Sequence, residues 1–321
     1  MTEAAVIATD QLTKQFDDYV AVDRVNLEVR PGEVYGLIGP NGAGKTTLIR
    51  LLAMASSPTV GDIYIDGQPL LRNQPNADIK RRIGYLPDDF PLYDDLSVQD
   101  YLEYFGQLYY LKPAQLNVRV TEVLALVSLE NKRHSVISAL SRGMKQRLSL
   151  ARTVIHQPRL LLLDEPVSGL DPIARIEYCE TIKLLQKQGM TILISSHILS
   201  DLEDFCTTIG IMEQGRLVES TRLQSLYRRE GQQLLIAVLD NNAASLEIYL
   251  QEHPLVSGYE RLEKSRSGQA GKLSVTFTGT EAEAADLLRI LVTEGIRVSE
   301  FHYTQETLED IFVRLGYRRT S

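Results

Sequence analysis

The stretch Gly39-Pro40-Asn41-Gly42-Ala43-Gly44-Lys45-Thr46-Thr47 fits the pattern GxxxxGK[ST], and no other feature of the 321-residue chain constrains its fold as tightly. It follows the apolar run Val34-Tyr35-Gly36-Leu37-Ile38 and precedes Leu48-Ile49-Arg50-Leu51-Leu52. Such a loop works between a buried strand and a helix, because its backbone N–H groups curl around phosphate oxygens where the helix N-terminus adds partial positive charge. Gly39, Asn41, Gly42, Gly44 and Thr47 are therefore expected to line a nucleotide phosphate site. Lys45 would reach the β- and γ-phosphates and Thr46 would ligate Mg²⁺.

The surrounding pattern supplies the sheet that such a loop needs. Val20 to Val29 alternates apolar and polar residues, Pro31-Gly32 marks a turn, and residues 61–67 read as a strand closed by a turn. From Ser97 to Leu129 the period becomes helical, with Val98, Tyr101, Leu102, Phe105 and Leu108 on one face, which predicts a helical insertion over about 88–150. Residues 159–163 read as a central strand, Asp171-Pro172 opens a helix that Gly189 closes, and residues 191–195 form another strand. This alternation implies an α/β fold around a parallel sheet. Beyond Arg222 the units shorten, with strands at 233–239, 256–262, 272–278 and 296–303, helices at 243–252 and 280–294, and a final helix from about 305. The order βαββαβ predicts a small ferredoxin-like α+β domain over 222–321, following a first domain over 1–221. The polar stretch Glu263 to Lys272 would be its exposed hairpin.

Leu160-Leu161-Leu162-Leu163-Asp164-Glu165 ends a buried strand in two carboxylates, at the edge where a parallel sheet presents its ligands. Asp164 suits the magnesium shell, and Glu165 suits deprotonation of an attacking water. Upstream, Leu140-Ser141-Arg142-Gly143-Met144 reads as a capped helix start, with Gly143 permitting close backbone approach.

In this order the glycine loop, Leu140 to Met144, Leu163-Asp164-Glu165-Pro166, Ser168-Gly169-Leu170-Asp171 and Ser195-Ser196-His197 resemble the nucleotide-binding domain of ABC transporters over about residues 6–220. That resemblance implies a P-loop ATPase core with a helical subdomain. ATP and Mg²⁺ would be its cofactors, held between two copies of the chain or between the chain and a paralogue, and an integral membrane permease would be the driven partner. It makes Ser141 and Gly143 a signature loop that meets both nucleotide and dimer partner, Asp171 a dimer-interface aspartate, Glu165 and His197 the catalytic residues, and His197 a switch histidine contacting the γ-phosphate. The adenine-stacking aromatic falls on Phe16, with Tyr19 as its substitute. Two positions depart from the family pattern. Asp88, a shorter and charged side chain, stands where a glutamine would reach magnesium and the lytic water, and is the third candidate metal residue with Thr46 and Asp164. Arg142 and Met144 stand where many members carry Gly and Gln. Both departures, together with Glu306 to Phe312, resemble the bacterial exporter branch whose permease is separately encoded.

Composition narrows the function further. The chain has 34 Lys+Arg against 42 Asp+Glu, for a net charge of -8, and neither half carries the basic footprint of a nucleic-acid binder. No run approaches the roughly 18 apolar residues that cross a bilayer, and the start lacks a positive n-region, so a cytoplasmic protein is expected, peripheral on the membrane through its permease. Cys179 and Cys206 stand far apart and fit a reducing compartment. His134, His156, His253 and His302 show no metal-ligand spacing. Asn131-Lys132-Arg133-His134 lacks the aspartate of a guanine-reading motif, which disfavours a GTPase. A soluble, regulatory ATPase of the same type is the alternative to transport; the single glycine loop and the lack of sustained heptads weigh against it. Finally, aromatics crowd residues 85–110. Helical spacing assigns Tyr101, Phe105 and Tyr109 to a core, but not Tyr93 or Tyr104, which are predicted to anchor the permease.

Overall fold

The computed structural model describes residues 4–71, 74, 76–203, 205–223, 225, 232–239, 243–262 and 270–304. The expected helix from about 305 and the stretch Glu306 to Phe312 lie outside the described residues, as does most of the segment 263–272. The chain divides into two compact units, Met1–Leu223 and Gln224–Arg318.

The first unit opens with strands β1 (Ile7–Phe16), β2 (Tyr19–Val25) and β3 (Glu28–Val29), followed by β4 (Val34–Ile38), the glycine loop and helix α1 (Lys45–Leu52). Strands β5 (Val60–Ile65) and β6 (Gln68–Pro69) complete an antiparallel sheet of order β2-β1-β5-β6, with β3 beside β1. Helix α2 (Ala77–Lys80) and strand β7 (Ile83–Leu86) lead into three longer helices, α3 (Val98–Leu108), α4 (Pro113–Leu126) and α5 (Arg142–Val154). Then follow β8 (Leu160–Leu163), α6 (Pro172–Lys187), β9 (Thr191–Ser196), α7 (Ser200–Glu203), β10 (Thr208–Glu213) and β11 (Arg216–Arg222). The second sheet has the order β11-β10-β4-β9-β8-β7 and is parallel except for β11.

Every residue of β4, β8 and β9 is buried, which is why β4, β8 and the middle of β9, Ile192 to Ile194, read as continuous apolar runs rather than as alternations. A core of Ile7, Leu12, Val22, Tyr35, Leu37, Leu48, Leu52, Leu162 and Leu193 joins the two sheets through α1. Because β4, β9 and β8 are adjacent and parallel, with Ile38 opposite Ser196 and Leu163 opposite Ile194, their C-terminal ends open at one edge of the sheet. That edge receives the glycine loop, Asp164-Glu165 and Ser195 to His197.

In α3 the buried positions are Val98, Tyr101, Leu102 and Gly106. Leu108, expected on the same face, is 54% exposed. The contact with α4 is made two residues earlier, at Gly106, on the other side of the helix, where any Cβ would collide with the Leu116 side chain, and Leu108 ends the helix beyond that contact. Tyr109 is likewise not core, being partly exposed and stacked on His156 with ring centroids 3.8 Å apart.

The second unit contains β12 (Gln232–Leu239), α8 (Ala243–Glu252), β13 (Val256–Leu262), β14 (Ala270–Phe277), α9 (Glu281–Thr293) and β15 (Val298–Thr304). Its strands run antiparallel in the order β13-β14-β12-β15, so the first and third strands are central, as in a ferredoxin-like fold. Leu234, Ile236 and Val238, at strand period, pack with Leu246 and Leu250 of α8 and Leu287 and Leu291 of α9. Thr280 and Glu283 form a capping box that starts α9.

Candidate functional site

The loop before α1 is built for an anion. Gly44, the N-cap, has φ 102°, and a Cβ there would collide with the Ala21 carbonyl, so no other residue fits. No side chain caps α1, which leaves its first-turn N–H groups to a ligand. Lys45 is buried, and its Nζ donates to the Gly39 and Pro40 carbonyls at 2.7 and 3.3 Å while lying 3.4 Å from Glu165 Oε1.

Across from it, Asp164 is 1% exposed. Its Oδ1 accepts from Thr46 Oγ1 at 3.1 Å and from Ser195 Oγ at 2.7 Å, while its buried Oδ2 has no hydrogen-bond partner. Burial pushes the Asp164 pKa up; the hydroxyls of Ser195 and Thr46 pull against this, and the nearby charges of Glu165 and Asp88 add to it. An unpaired buried carboxylate oxygen is costly, and a bound cation would satisfy it. Thr46 and Asp164 thus fit Mg²⁺, which takes few protein ligands and completes its shell with phosphate oxygens and water. Among the described residues no cluster of three or more His, Cys, Asp or Glu forms an all-protein metal cage.

Glu165 is held from three sides. Its N–H donates to Ser195 Oγ at 2.9 Å, its carbonyl accepts from the Ser168 N–H at 3.1 Å, and its Oε2 lies 2.7 Å from His197 Nδ1. Its φ of 47° is a left-handed conformation that glutamate rarely adopts, and these contacts sustain it. The carboxylate is left between the Lys45 ammonium and the His197 ring.

The other predicted residues are placed as follows. Asp88 is exposed, close enough for its charge to act on Asp164. Phe16 is 49% exposed, with the Lys14 ammonium 4.8 Å from its ring centroid. Tyr19, also exposed, donates from its hydroxyl to the Gly42 carbonyl, so the loop is tied to the aromatic hairpin at this second residue. Ser141 caps α5, its Oγ accepting from the Met144 N–H at 3.3 Å. A Cβ on Gly143 would lie 2.6 Å from the Ala174 Cβ, so this glycine lets α5 approach α6. Asp171 caps α6, accepting from the N–H groups of Ile173 and Ala174.

Known proteins resemble this chain in sequence and fold. The family model described as ABC transporter matches residues 22–168. The bacitracin transport ATP-binding protein BcrA of Bacillus licheniformis is 34% identical over 319 residues, covering 97% of each chain. The chain belongs to the ABC transporter ATP-binding family. The Nod factor export ATP-binding protein I of Cupriavidus metallidurans is 37% identical over 226 residues, 70% of this chain and 74% of that one. Among solved structures, the ATP-binding subunit of an ABC transporter aligns with TM-score 0.62 at 29% identity, over 70% of this chain and 92% of that chain. A dimeric bacterial ABC transporter cassette aligns with TM-score 0.62 at 25% identity, over 68% and 98%.

Two residues of this ABC ATP-binding chain carry more than their sequence context announces. Ser195 bridges Asp164 to the backbone of Glu165, yet in sequence it is the first of two serines that end a strand. The available signal was a small polar residue on a wholly buried strand, two positions before His197. Arg142 donates to the Ser168 carbonyl, a contact that depends on how α5 lies against the chain beyond β8.

Proposed function

We propose that this chain is the ATP-hydrolysing subunit of an exporter, working as an ATP-sandwich dimer and driving a separately encoded membrane permease. The observation that carries the proposal is the Glu165 carboxylate, fixed in backbone and side chain between Lys45 and His197, one residue after a buried Asp164 with an open oxygen. Lys45 and the α1 N-terminus bind the phosphates of ATP. Thr46 and Asp164 hold Mg²⁺, which when bound neutralises phosphate charge. Glu165 takes the proton of the attacking water, and His197, hydrogen-bonded to Glu165, faces the γ-phosphate. Ser141, Gly143 and Asp171 serve the dimer interface, where the signature loop of one copy meets the nucleotide of the other. The transport and export roles in the names of the two relatives, and the dimeric cassette among the structural neighbours, support this reading. No helix of the described residues is long and apolar enough to cross a membrane, in keeping with a permease supplied by another chain.

The test separates binding from chemistry. Lys45→Ala is expected to weaken ATP binding by about thirtyfold or more, because phosphate charge goes unpaired. Glu165→Gln is expected to keep ATP affinity, lose about 10²-fold or more in turnover, and accumulate as an ATP-bound dimer in size-exclusion chromatography. Wild-type turnover in Glu165→Gln would overturn the assignment of the base.

A further inference from the structure

We infer that Arg142 is a positioning residue for hydrolysis, one that fastens the first turn of α5 to the turn beginning at Glu165. This rests on the ATPase reading of Glu165 given above. An arginine in a loop of this kind invites assignment as a phosphate ligand. Its geometry points elsewhere. Arg142 is exposed at the first position of α5, and its Nη2 donates to the carbonyl of Ser168 at 3.1 Å. Its guanidinium also occupies the space over Gly169, where a Cβ would collide with it and where φ is +66°. An arginine on a carbonyl is a charge-assisted bond, stronger than a neutral one.

That carbonyl closes the segment on which the base depends. The Ser168 N–H donates to the Glu165 carbonyl at 3.1 Å, and the Glu165 N–H donates to Ser195. Residues 165–168 are therefore anchored to β9 at the near end by Ser195 and to α5 at the far end by Arg142. The buried face of α5 grips α6 further on, with Gly143 against Ala174 and Arg147 Nη2 3.1 Å from Glu177 Oε2. A left-handed glutamate persists where its surroundings over-determine it, and releasing one end of its turn lets the carboxylate wander. Displacement of a reacting group by about 1 Å can cost about 10²-fold in rate. Arg142 thus acts on the water-activating step through Glu165, without touching nucleotide itself.

Arg142→Ala tests this, since the side chain is exposed and alanine favours a helix start, so the fold is expected to survive. The expected result is a fall in kcat of about tenfold with KM for ATP changed by less than about twofold. Arg142→Lys is expected to recover most of the rate, because its ammonium can still donate to the Ser168 carbonyl. Placed in a Glu165→Gln background, Arg142→Ala should bring no further loss, as befits two residues acting on one step. Independently of turnover, hydrogen exchange should quicken in residues 165–171 and stay unchanged in α1. A raised KM at unchanged kcat would make Arg142 a nucleotide ligand and overturn the inference; unchanged exchange across 165–171 would also overturn it. A wild-type protein with no ATP turnover at all would instead overturn the ATPase reading, with the fastening still judged by exchange.

Discussion

At the scale of single residues, the site is a set of short bonds whose members differ in how openly the sequence declares them. Lys45, Thr46, Asp164 and Glu165 are legible because glycine spacing, or a pair of charges closing an apolar run, has few other uses. Ser195 is not, since its role arises only when β8 and β9 lie side by side and bring its hydroxyl to Asp164 Oδ1 and to the Glu165 N–H. Ser195→Ala removes both bonds at a position that is wholly buried. Leaving a buried N–H unpaired costs about 1–3 kcal/mol, so a loss of that order is expected in denaturant titration. Turnover should fall with it while ATP affinity changes little, because Ser195 supports the base and the metal carboxylate rather than the phosphate loop. Undiminished turnover in Ser195→Ala would show that Glu165 holds its place without the serine.

Secondary-structure elements were readable where a local rule governs them. Asp171-Pro172 opens α6 and Ser141 opens α5 through caps that the sequence announces, and the strands of the second unit follow alternating apolar residues. The misplaced residues are those whose surroundings come from another element. Leu108 keeps helical spacing yet lies outside the contact with α4, and Tyr109 leaves the α3 core to stack on His156. His156, without any motif, turns out to tie α5 to the sheet, its Nε2 lying 3.1 Å from the Ile83 carbonyl just beyond the helix end. Burial pushes its pKa down to about 4 from 6.5; the Ile83 carbonyl pulls upward, and the Arg119 charge pushes further down. Between these two values the unfolded chain binds a proton that the folded chain does not. Stability is therefore full above pH 6.5 and is lost as pH falls toward 4, by up to about 3 kcal/mol, about 2 kcal/mol of it by pH 5. Melting measured between pH 7.5 and pH 5 should show this slope in the wild type and a shallower one in His156→Gln, which can still donate to Ile83. Equal slopes would mean that His156 titrates alike in both states.

At the scale of the whole molecule, the proposed role requires force to pass between nucleotide and a partner in the membrane, and the described residues include a pair of exposed tyrosines on the helical insertion. Tyr93 and Tyr104 are 46% and 45% exposed, with rings edge to face at 5.9 Å. They are neither loose surface side chains nor core. Tyr93 stacks on Phe105 at 6.3 Å, Phe105 meets the fully buried Tyr101 at 4.9 Å, and the Arg152 guanidinium sits 5.0 Å from the Phe105 ring. One edge of each tyrosine is thus fixed by aromatic packing while the other faces outward, which lowers the entropy lost when a partner binds. The loop that bears Tyr93 is itself held to α5, Asp94 accepting from Lys145 at 2.9 Å. Anchors of this kind typically lose about 2 kcal/mol on truncation, roughly thirtyfold in affinity. Tyr104→Ala is accordingly expected to weaken co-purification with the permease from detergent while basal ATP turnover stays at the wild-type level. Tyr93→Ala should do the same, with an added loss of about 1 kcal/mol in stability because it gives up more ring contacts. Collapse of the fold in Tyr104→Ala would assign the patch to the core of the helical insertion, and an undiminished complex in both variants would place the docking surface elsewhere on the chain.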